Sequence, residues 1–239
     1  MLLDHIGYCL PRAGFSPYFR IIGRLAFPIF VFLVVNGYRY TRSKPKYALR
    51  LAIFAVISQI PFSLMQKGTL FYPTGNVFVT LLLSLLCVWF AAEFWSRSGW
   101  WRLLAFVPAV IVCGLYYFGY LNSDYGMKGI LLALVLYFFD GKYVLTAIGT
   151  FVSLFAPTLI GYGINFLQML RGRAYAFRLP GSWTMTEAYA LLALIPVFLY
   201  HGKKGRTPEN KVAAKAMQLA FYAFYPVHML ILALLFRLS

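Results

Sequence analysis

The chain has 239 residues, 62% of them hydrophobic and only 12% charged, and it carries a formal net charge of +16. Uncharged stretches at 103–123, 143–170 and 216–236 reach or exceed the roughly 20 residues that cross a bilayer, which excludes a soluble domain and predicts a polytopic membrane protein. The 22 Lys and Arg residues fall mostly in short clusters between apolar runs, so we interpret the charge as a topology signal and expect no nucleic-acid partner.

Eight apolar runs predict helices that cross the bilayer. Their predicted bounds, in chain order, are 25–38, 47–65, 76–94, 103–121, 125–139, 143–164, 187–200 and 215–235. The residues ahead of Asp4 are too few to cross a membrane, so an apparently clipped first helix brings the expected number of transmembrane helices to about nine. No internal repeat and no long linker is visible. The sequence therefore predicts an all-α fold, a single helical bundle over residues 1–239 embedded in a lipid bilayer.

The positive-inside rule orients this predicted bundle. The two densest basic segments, 39–50 and 203–215, are separated by six predicted spans, an even number, so both belong on the cytoplasmic side. The opposite face then receives four polar spots, each at the beginning or end of an apolar run. They are the Asp4-His5 pair, Arg24, Asn76 and Asp124. In a chain with only six acidic residues, this convergence is the best indication of chemistry.

One segment departs from this orientation. The run 143–170 is too long for one upright span, and Gly161 and Gly163 favour a break within it. The basic residues that follow, Arg171, Arg173 and Arg178, lie on the outer face against the rule. We therefore expect this external loop to fold back onto the protein.

Ionisable side chains at membrane depth are costly, so they usually face the interior and mark a site. His228 lies within the last predicted span, and Tyr225 precedes it by three residues on the same helical face. The alternative is a hydrogen-bonded packing histidine. His5 directly follows Asp4, and adjacent helical residues do not face each other, so each needs a partner from another span.

Four further residues have both a functional and a structural interpretation. Arg24 and Asp124 are expected to pair with each other, because an isolated charge near the bilayer is expensive, although interfacial anchoring also explains them. Asn76 precedes Thr80 by four residues at the start of a predicted span. The two residues either contact a polar ligand or cap the helix.

The basic segment after the first long span also has two interpretations. Arg39, Arg42, Lys44 and Lys46 either bind the phosphates of an anionic cosubstrate or serve only membrane orientation and attraction to anionic lipids.

The sequence contains none of the motifs that indicate ATP-driven transport, dinucleotide chemistry or zinc proteolysis. The cysteines Cys9, Cys87 and Cys113 fit neither a disulfide framework nor a metal site, so we expect them to be packing residues and expect no metal.

The segments just described resemble, in order, those of the TraX family of integral membrane proteins. The resemblance covers nearly the whole chain. It rests on MLLDHIG at 1–7, IGRLAFPIF at 22–30, GYR at 37–39 with TR at 41–42, KY at 46–47 with RL at 50–51, SQIPF at 58–62, NVF at 76–78, SDYG at 123–126 and YPVH at 225–228. More remotely, the Asp-His helix end followed by Phe-Pro-Ile-Phe is similar to transmembrane acyltransferases, including lysosomal heparan acetyltransferase.

The resemblance implies acetyl transfer in a bacterial cytoplasmic membrane, because the named member of the TraX family acetylates the amino terminus of conjugative pilin with acetyl-CoA as cosubstrate. The acceptor stays open between a pilin-like peptide, a sugar and a small amine. Acyl transfer needs a base and a donor that stabilises the oxyanion. The candidate catalytic residues are His5, His228, Asp4 and Asp124, and the candidate acetyl-binding residues are Arg24, Asn76, Thr80, Tyr125 and Tyr225.

Two other classes of function compete with the acetyltransferase. A transporter for a small anion would use the same polar residues as a binding site, but we find neither the repeat symmetry nor the paired broken helices that transporters often show. A non-catalytic membrane assembly factor would not need buried His and Asp residues together.

Overall fold

In a computed structural model, which describes residues 1–10, 16–172, 185–202 and 210–236, the chain is a bundle of α-helices. The helices are α1 (Leu2–Cys9), α2 (Ser16–Arg24), α3 (Ala26–Tyr40), α4 (Lys44–Lys67), α5 (Val77–Trp95), α6 (Trp101–Leu104), α7 (Val107–Tyr117), α8 (Gly126–Phe138), α9 (Tyr143–Leu170), α10 (Leu194–Phe198) and α11 (Lys211–Phe236), with a 3₁₀ helix at Met185–Ala193. The β-type pairing in these ranges is one bridge between Gly75 and Ser123.

Four helical segments within the described ranges are long and apolar enough to cross a membrane by length and composition. They are Tyr18–Tyr40, Lys44–Lys67, Val77–Trp95 and Val212–Phe236, and shorter apolar helices lie at Trp101–Tyr117, Gly126–Phe138, Tyr143–Phe155 and Ala188–Phe198. The prediction of an all-α membrane bundle is confirmed.

The first long span is interrupted at Leu25, between α2 and α3. Pro28 explains the interruption, because proline has no N–H for the carbonyl of Arg24, four residues earlier, and its ring clashes with that carbonyl. The Leu25 amide instead bonds to the Ile22 carbonyl, three residues back, at 3.3 Å. The break lies beside Arg24 and so helps to set where that side chain projects.

The ends of α4 and α5 follow ordinary capping rules. Gly68 ends α4 in the left-handed conformation with φ of 70°, where a residue without a Cβ is favoured. Asn76 begins α5 as its N-cap, with its side-chain oxygen accepting a hydrogen bond from the Phe78 amide. Both caps lie in the connection that carries Asn76 toward the polar end of the bundle.

Two details of the second half differ from the sequence-based expectation. The predicted break at Gly161 and Gly163 is wrong, because α9 continues from Tyr143 to Leu170. Two glycines cost only about 1 kcal/mol each in a helix, which is less than leaving backbone groups unpaired in an apolar medium. The predicted span 187–200 is a 3₁₀ helix followed by the short α10, because Pro196 removes one helical hydrogen bond. Arg173, Arg178 and Lys203 lie outside the described residues.

The helices α4 and α11 begin at the same end of the bundle. Tyr47 and Lys215, each near the start of its helix, line one cavity, and Phe54 stacks on Tyr222 further along at a centroid distance of 5.0 Å. The two helices therefore run in the same direction, and their basic starts lie close together. The side of the membrane that this end faces stays a prediction.

Close approach of α8 to α5 and α3 depends on Gly129. A Cβ placed on Gly129 would lie against the Thr80 methyl group and 3.0 Å from the Phe27 ring. Small residues at such crossings allow helices in membranes to pack closely. The core around this crossing includes Phe27, Val31, Leu85, Ile130 and Leu132, all fully buried.

We expect Gly129→Leu to lower the free energy of unfolding by about 1–3 kcal/mol, because extra atoms must be forced into a packed crossing. The matched control is Gly114→Leu in α7, since a Cβ at Gly114 meets no atom within 4 Å. Thermal unfolding of both variants in detergent measures the difference. Equal melting temperatures would show that this crossing is looser than described.

Candidate functional site

Two buried histidines from opposite ends of the chain meet in the bundle. His5 Nδ1 lies 2.9 Å from His228 Nε2, and the rings stack with centroids 5.2 Å apart. Each histidine is 5% exposed. His228 Nδ1 also lies 2.6 Å from the Phe224 carbonyl oxygen, one turn earlier in α11. The partner that the sequence required for His5 is thus the other candidate base.

Tyr225 adjoins both histidines. Its ring makes an edge contact with His5 at 6.1 Å and with His228 at 5.5 Å between centroids. The side chain is 4% exposed, and the Val77 backbone amide approaches its oxygen as a donor. The hydroxyl hydrogen meets no acceptor in the part of the chain that the structure describes, so this hydroxyl is a candidate donor to a bound substrate.

The charged candidates gather beside the histidine pair. Gly23 lets α1 and α2 approach closely, since a Cβ at Gly23 would lie 2.7 Å from the Asp4 Cα atom. The charges of Asp4 and Arg24 both act on Asp124. Arg24 also shares a hydrogen bond with the side chain of Tyr125. The structure therefore brings all four residues together at one end of the bundle, beside His5.

The side chain of Asn76 is hydrogen-bonded to other residues of the protein. Its side-chain nitrogen donates to the Ala55 carbonyl at 2.7 Å and to Gln59 Oε1 at 2.9 Å, and its oxygen accepts from the Phe78 amide. Of the two interpretations of Asn76, the geometry is that of a helix cap. Gln59 holds this connection in place through further bonds to the Tyr72 and Thr74 carbonyls.

Thr80 belongs to a row of three hydroxyl groups. Ser123 Oγ lies 2.7 Å from Thr80 Oγ1 and 2.6 Å from Tyr116 Oη. Nearby, the Gly75 amide donates to the Asn122 carbonyl and the Asp124 amide donates to the Gly75 carbonyl. These bonds join the connection before α5 to the connection before α8, which carries Asp124.

Sequence reasoning gave no role to Gln59, Ser123 and Tyr116, although the structure places all three around candidate residues. Gln59 and Ser123 fall within the segments SQIPF and SDYG, which carried the family resemblance. The signal available in the sequence was a polar residue inside an otherwise apolar run. The residues that such a side chain bonds to lie elsewhere in the chain, so no local sequence pattern identifies them.

The basic candidate residues lie at the other end of the bundle. Arg39 is already bound there to other residues of the protein. Its Nη1 atom forms an ion pair with Asp140 at 2.6 Å, and Nη2 donates to the Tyr137 carbonyl at 2.8 Å. Arg39 thus ties α3 to the carboxyl end of α8, where a cation is favoured. Arg42 and Lys46 are exposed, and Lys44 lies over the Tyr38 ring at 4.6 Å.

A cavity of about 730 Å³ runs along α11. We call it the α11 cavity. Its wall is mostly apolar and comes from α3, α4, α5 and α11. Lys215 and Gln218 line it near the start of α11, whereas Tyr225 and His228 line it deeper in the helix. The distance along α11 from Lys215 to His228 is about 20 Å at 1.5 Å per residue.

Among the described residues, no group of three or more His, Cys, Asp or Glu side chains is placed to hold a metal ion. Cys9, Cys87 and Cys113 are all free thiols, and Cys87 is buried in the core.

Comparisons with known proteins found one family model and a curated relative. The family model described as TraX protein matches residues 1–236. The probable fimbrial assembly protein FimC, serogroup H1, of Dichelobacter nodosus is 31% identical to the chain over 251 residues, which cover 97% of this chain and 89% of that protein. No solved structure matches the chain.

We expect Arg24 and Asp124 to be energetically coupled, because the charge of Arg24 at the end of α2 acts on Asp124 in the connection before α8. In a double-mutant cycle with Arg24→Gln and Asp124→Asn, the double variant should lose less free energy of unfolding than the two single variants lose together. We expect a coupling energy of at least about 0.5 kcal/mol. Asp140→Asn is the control partner, since Asp140 pairs with Arg39 at the opposite end. If the double variant lowers the melting temperature by the sum of the two single shifts, Arg24 and Asp124 are not coupled.

Proposed function

Because this chain belongs to the TraX family, we propose that it is a multi-pass acetyltransferase of the bacterial inner membrane that moves an acetyl group from cytosolic acetyl-CoA to an acceptor at the outer side. One observation carries the proposal. His228, which is hydrogen-bonded to His5, and the buried Tyr225 lie at the deep end of an apolar cavity whose other end is lined by Lys215. This arrangement supplies a base, an oxyanion donor and a path for an acyl donor.

The α11 cavity suits the donor substrate. Its apolar wall fits an acetyl group on a long, largely uncharged arm, and Lys215 at its shallow end fits phosphates. Lys44 lies one turn before Tyr47, which lines the same cavity, so Lys44 and the exposed Arg42 and Lys46 extend the basic surface. Arg39 contributes less to this proposed site than the sequence implied, because its guanidinium already binds Asp140 and the end of α8.

The residues at the deep end have separate roles in the proposed reaction. One histidine of the pair takes the proton of the acceptor, and the Tyr225 hydroxyl donates to the carbonyl oxygen as negative charge develops there. The acceptor atom forms a bond to the acetyl carbon, the carbon–sulfur bond breaks, and the proton ends on the leaving thiol. Atoms and charge balance without a metal or a redox partner.

Carboxylates beside His5 suit an amine as acceptor. Asp4 and Asp124, two of only six acidic residues, lie there together with Arg24 and Arg20, so charges of both signs surround the histidine. A carboxylate in such a site attracts a cationic amine. The name of the Dichelobacter relative refers to fimbrial assembly. We therefore propose a pilus subunit or a similar peptide, presented at the outer face, as the acceptor.

The sequence shows neither the repeat symmetry nor the paired broken helices that often mark a transporter. The non-catalytic assembly factor is consistent with the relative's name, but it gives no reason for two buried histidines hydrogen-bonded to each other beside a buried tyrosine. Protein reconstituted in liposomes with labelled acetyl-CoA separates the three functions. Thioester cleavage with label on an amine peptide supports the enzyme, uptake supports a transporter, and inertness supports an assembly factor.

We expect at least one of His5→Gln and His228→Gln to lower acetyl turnover by roughly a hundredfold or more, because a glutamine cannot accept the proton. His201→Gln is the control, since His201 is exposed and lies outside the site. Both site variants must still insert and bind donor. If both, stably folded, transfer acetyl like the wild type, the histidine pair is not the base.

The position of the α11 cavity leads to a separate prediction about binding of acetyl-CoA. Ala214→Phe should raise the Michaelis constant for acetyl-CoA at least tenfold, because Ala214 lines the α11 cavity and a phenyl ring would fill its shallow end. Ala213→Phe on the neighbouring, exposed position is the matched control. An unchanged Michaelis constant in folded Ala214→Phe would show that the donor takes another path.

A further inference from the structure

We propose that His228 is a positioning residue that fixes the tautomer of His5, and that the Nε2 atom of His5 is the base. The catalytic part rests on the proposed acetyl transfer, whereas the tautomer follows from hydrogen bonds alone. The two histidines are therefore not equivalent, although either is a reasonable base from sequence.

The assignment begins at the Phe224 carbonyl. A carbonyl oxygen only accepts hydrogen bonds, so the hydrogen in its 2.6 Å contact with His228 belongs to His228 Nδ1. An ionised imidazole is costly at membrane depth, so we assign His228 as a neutral ring. A neutral imidazole carries one hydrogen, which leaves His228 Nε2 as an acceptor.

The second hydrogen bond then fixes His5. His228 Nε2 can only accept in its 2.9 Å contact with His5 Nδ1, so His5 Nδ1 donates. In the neutral ring of His5, the Nε2 atom therefore carries a lone pair and no hydrogen. Within the described ranges, this atom makes no hydrogen bond. It is the one ring nitrogen of the pair that is free to take a proton.

The positions of the two rings agree with this division of roles. His228 lines the α11 cavity and His5 does not. Both nitrogens of His228 are already bonded, so it cannot take a proton without breaking the chain of hydrogen bonds. His5 Nε2 points away from His228, and His5 adjoins Asp4 of the charged cluster. The acceptor thus reaches the base from the side opposite the donor cavity.

Nuclear magnetic resonance of the ¹⁵N-histidine-labelled protein tests the tautomers without any assay of activity. The chain has three histidines, so His201→Gln and His228→Gln assign the spectrum by difference. At neutral pH we expect both His5 and His228 to carry their hydrogen on Nδ1. A His5 spectrum with the hydrogen on Nε2 would overturn the proposal.

Two variants at position 228 test the positioning role. Glutamine has a side-chain oxygen that can accept from His5 Nδ1, whereas leucine has none. We expect His228→Gln to keep the His5 tautomer and turnover within about tenfold of wild type, and His228→Leu to lose the single tautomer and about a hundredfold in turnover. His5→Gln should lose at least as much.

A folded His228→Gln variant that keeps the His5 tautomer but falls as far as His5→Gln would overturn the positioning role. If the wild-type spectrum is as expected but the protein transfers no acetyl to any amine peptide, the proposed function and the role of His5 as base fail together. The hydrogen-bond assignment would then stand by itself.

Discussion

The hydrogen bond between His5 and His228 joins residues 223 positions apart, so the candidate site exists only when the first and last described helices meet. Other features of the fold allow these helices to approach each other. Gly23 allows α1 to lie against α2, and Pro28 interrupts the first long span beside Arg24. The charged cluster and the α11 cavity then approach the histidines from different sides. Packing of small residues and prolines therefore determines where the ionisable groups lie.

Much of the fold could be predicted from the sequence, because apolar length is a local property. The long spans at α4, α5 and α11 follow from it directly. The convergence of Asp4, Arg24 and Asp124 could also be predicted, since topology alone assigns the ends of helices to one face or the other. The direct bond between His5 and His228 could not, because nothing in either segment specifies the other.

Roles that depend on long-range partners were the least predictable. Asn76 and Arg39 each had both a ligand-binding and a structural interpretation from sequence. In the structure the first is bonded to Ala55, Gln59 and Phe78, and the second to Asp140 and the end of α8. Spacing in the sequence shows that a polar residue needs a partner but not whether the protein itself provides one. The buried Tyr225 hydroxyl is the converse case, because the described fold gives its hydrogen no acceptor.

The backbone bonds between Gly75 and the Asn122–Asp124 segment act as a short piece of sheet that fastens two interhelical connections to each other. Ordering a free loop costs about 1–2 kcal/mol of conformational entropy per residue, and here that cost is met during folding. A molecule that reaches Asp124 thus meets a backbone already fixed, so little entropy is lost on its arrival. Discrimination between acceptors would then depend on shape and charge at a rigid rim rather than on closure of a mobile loop.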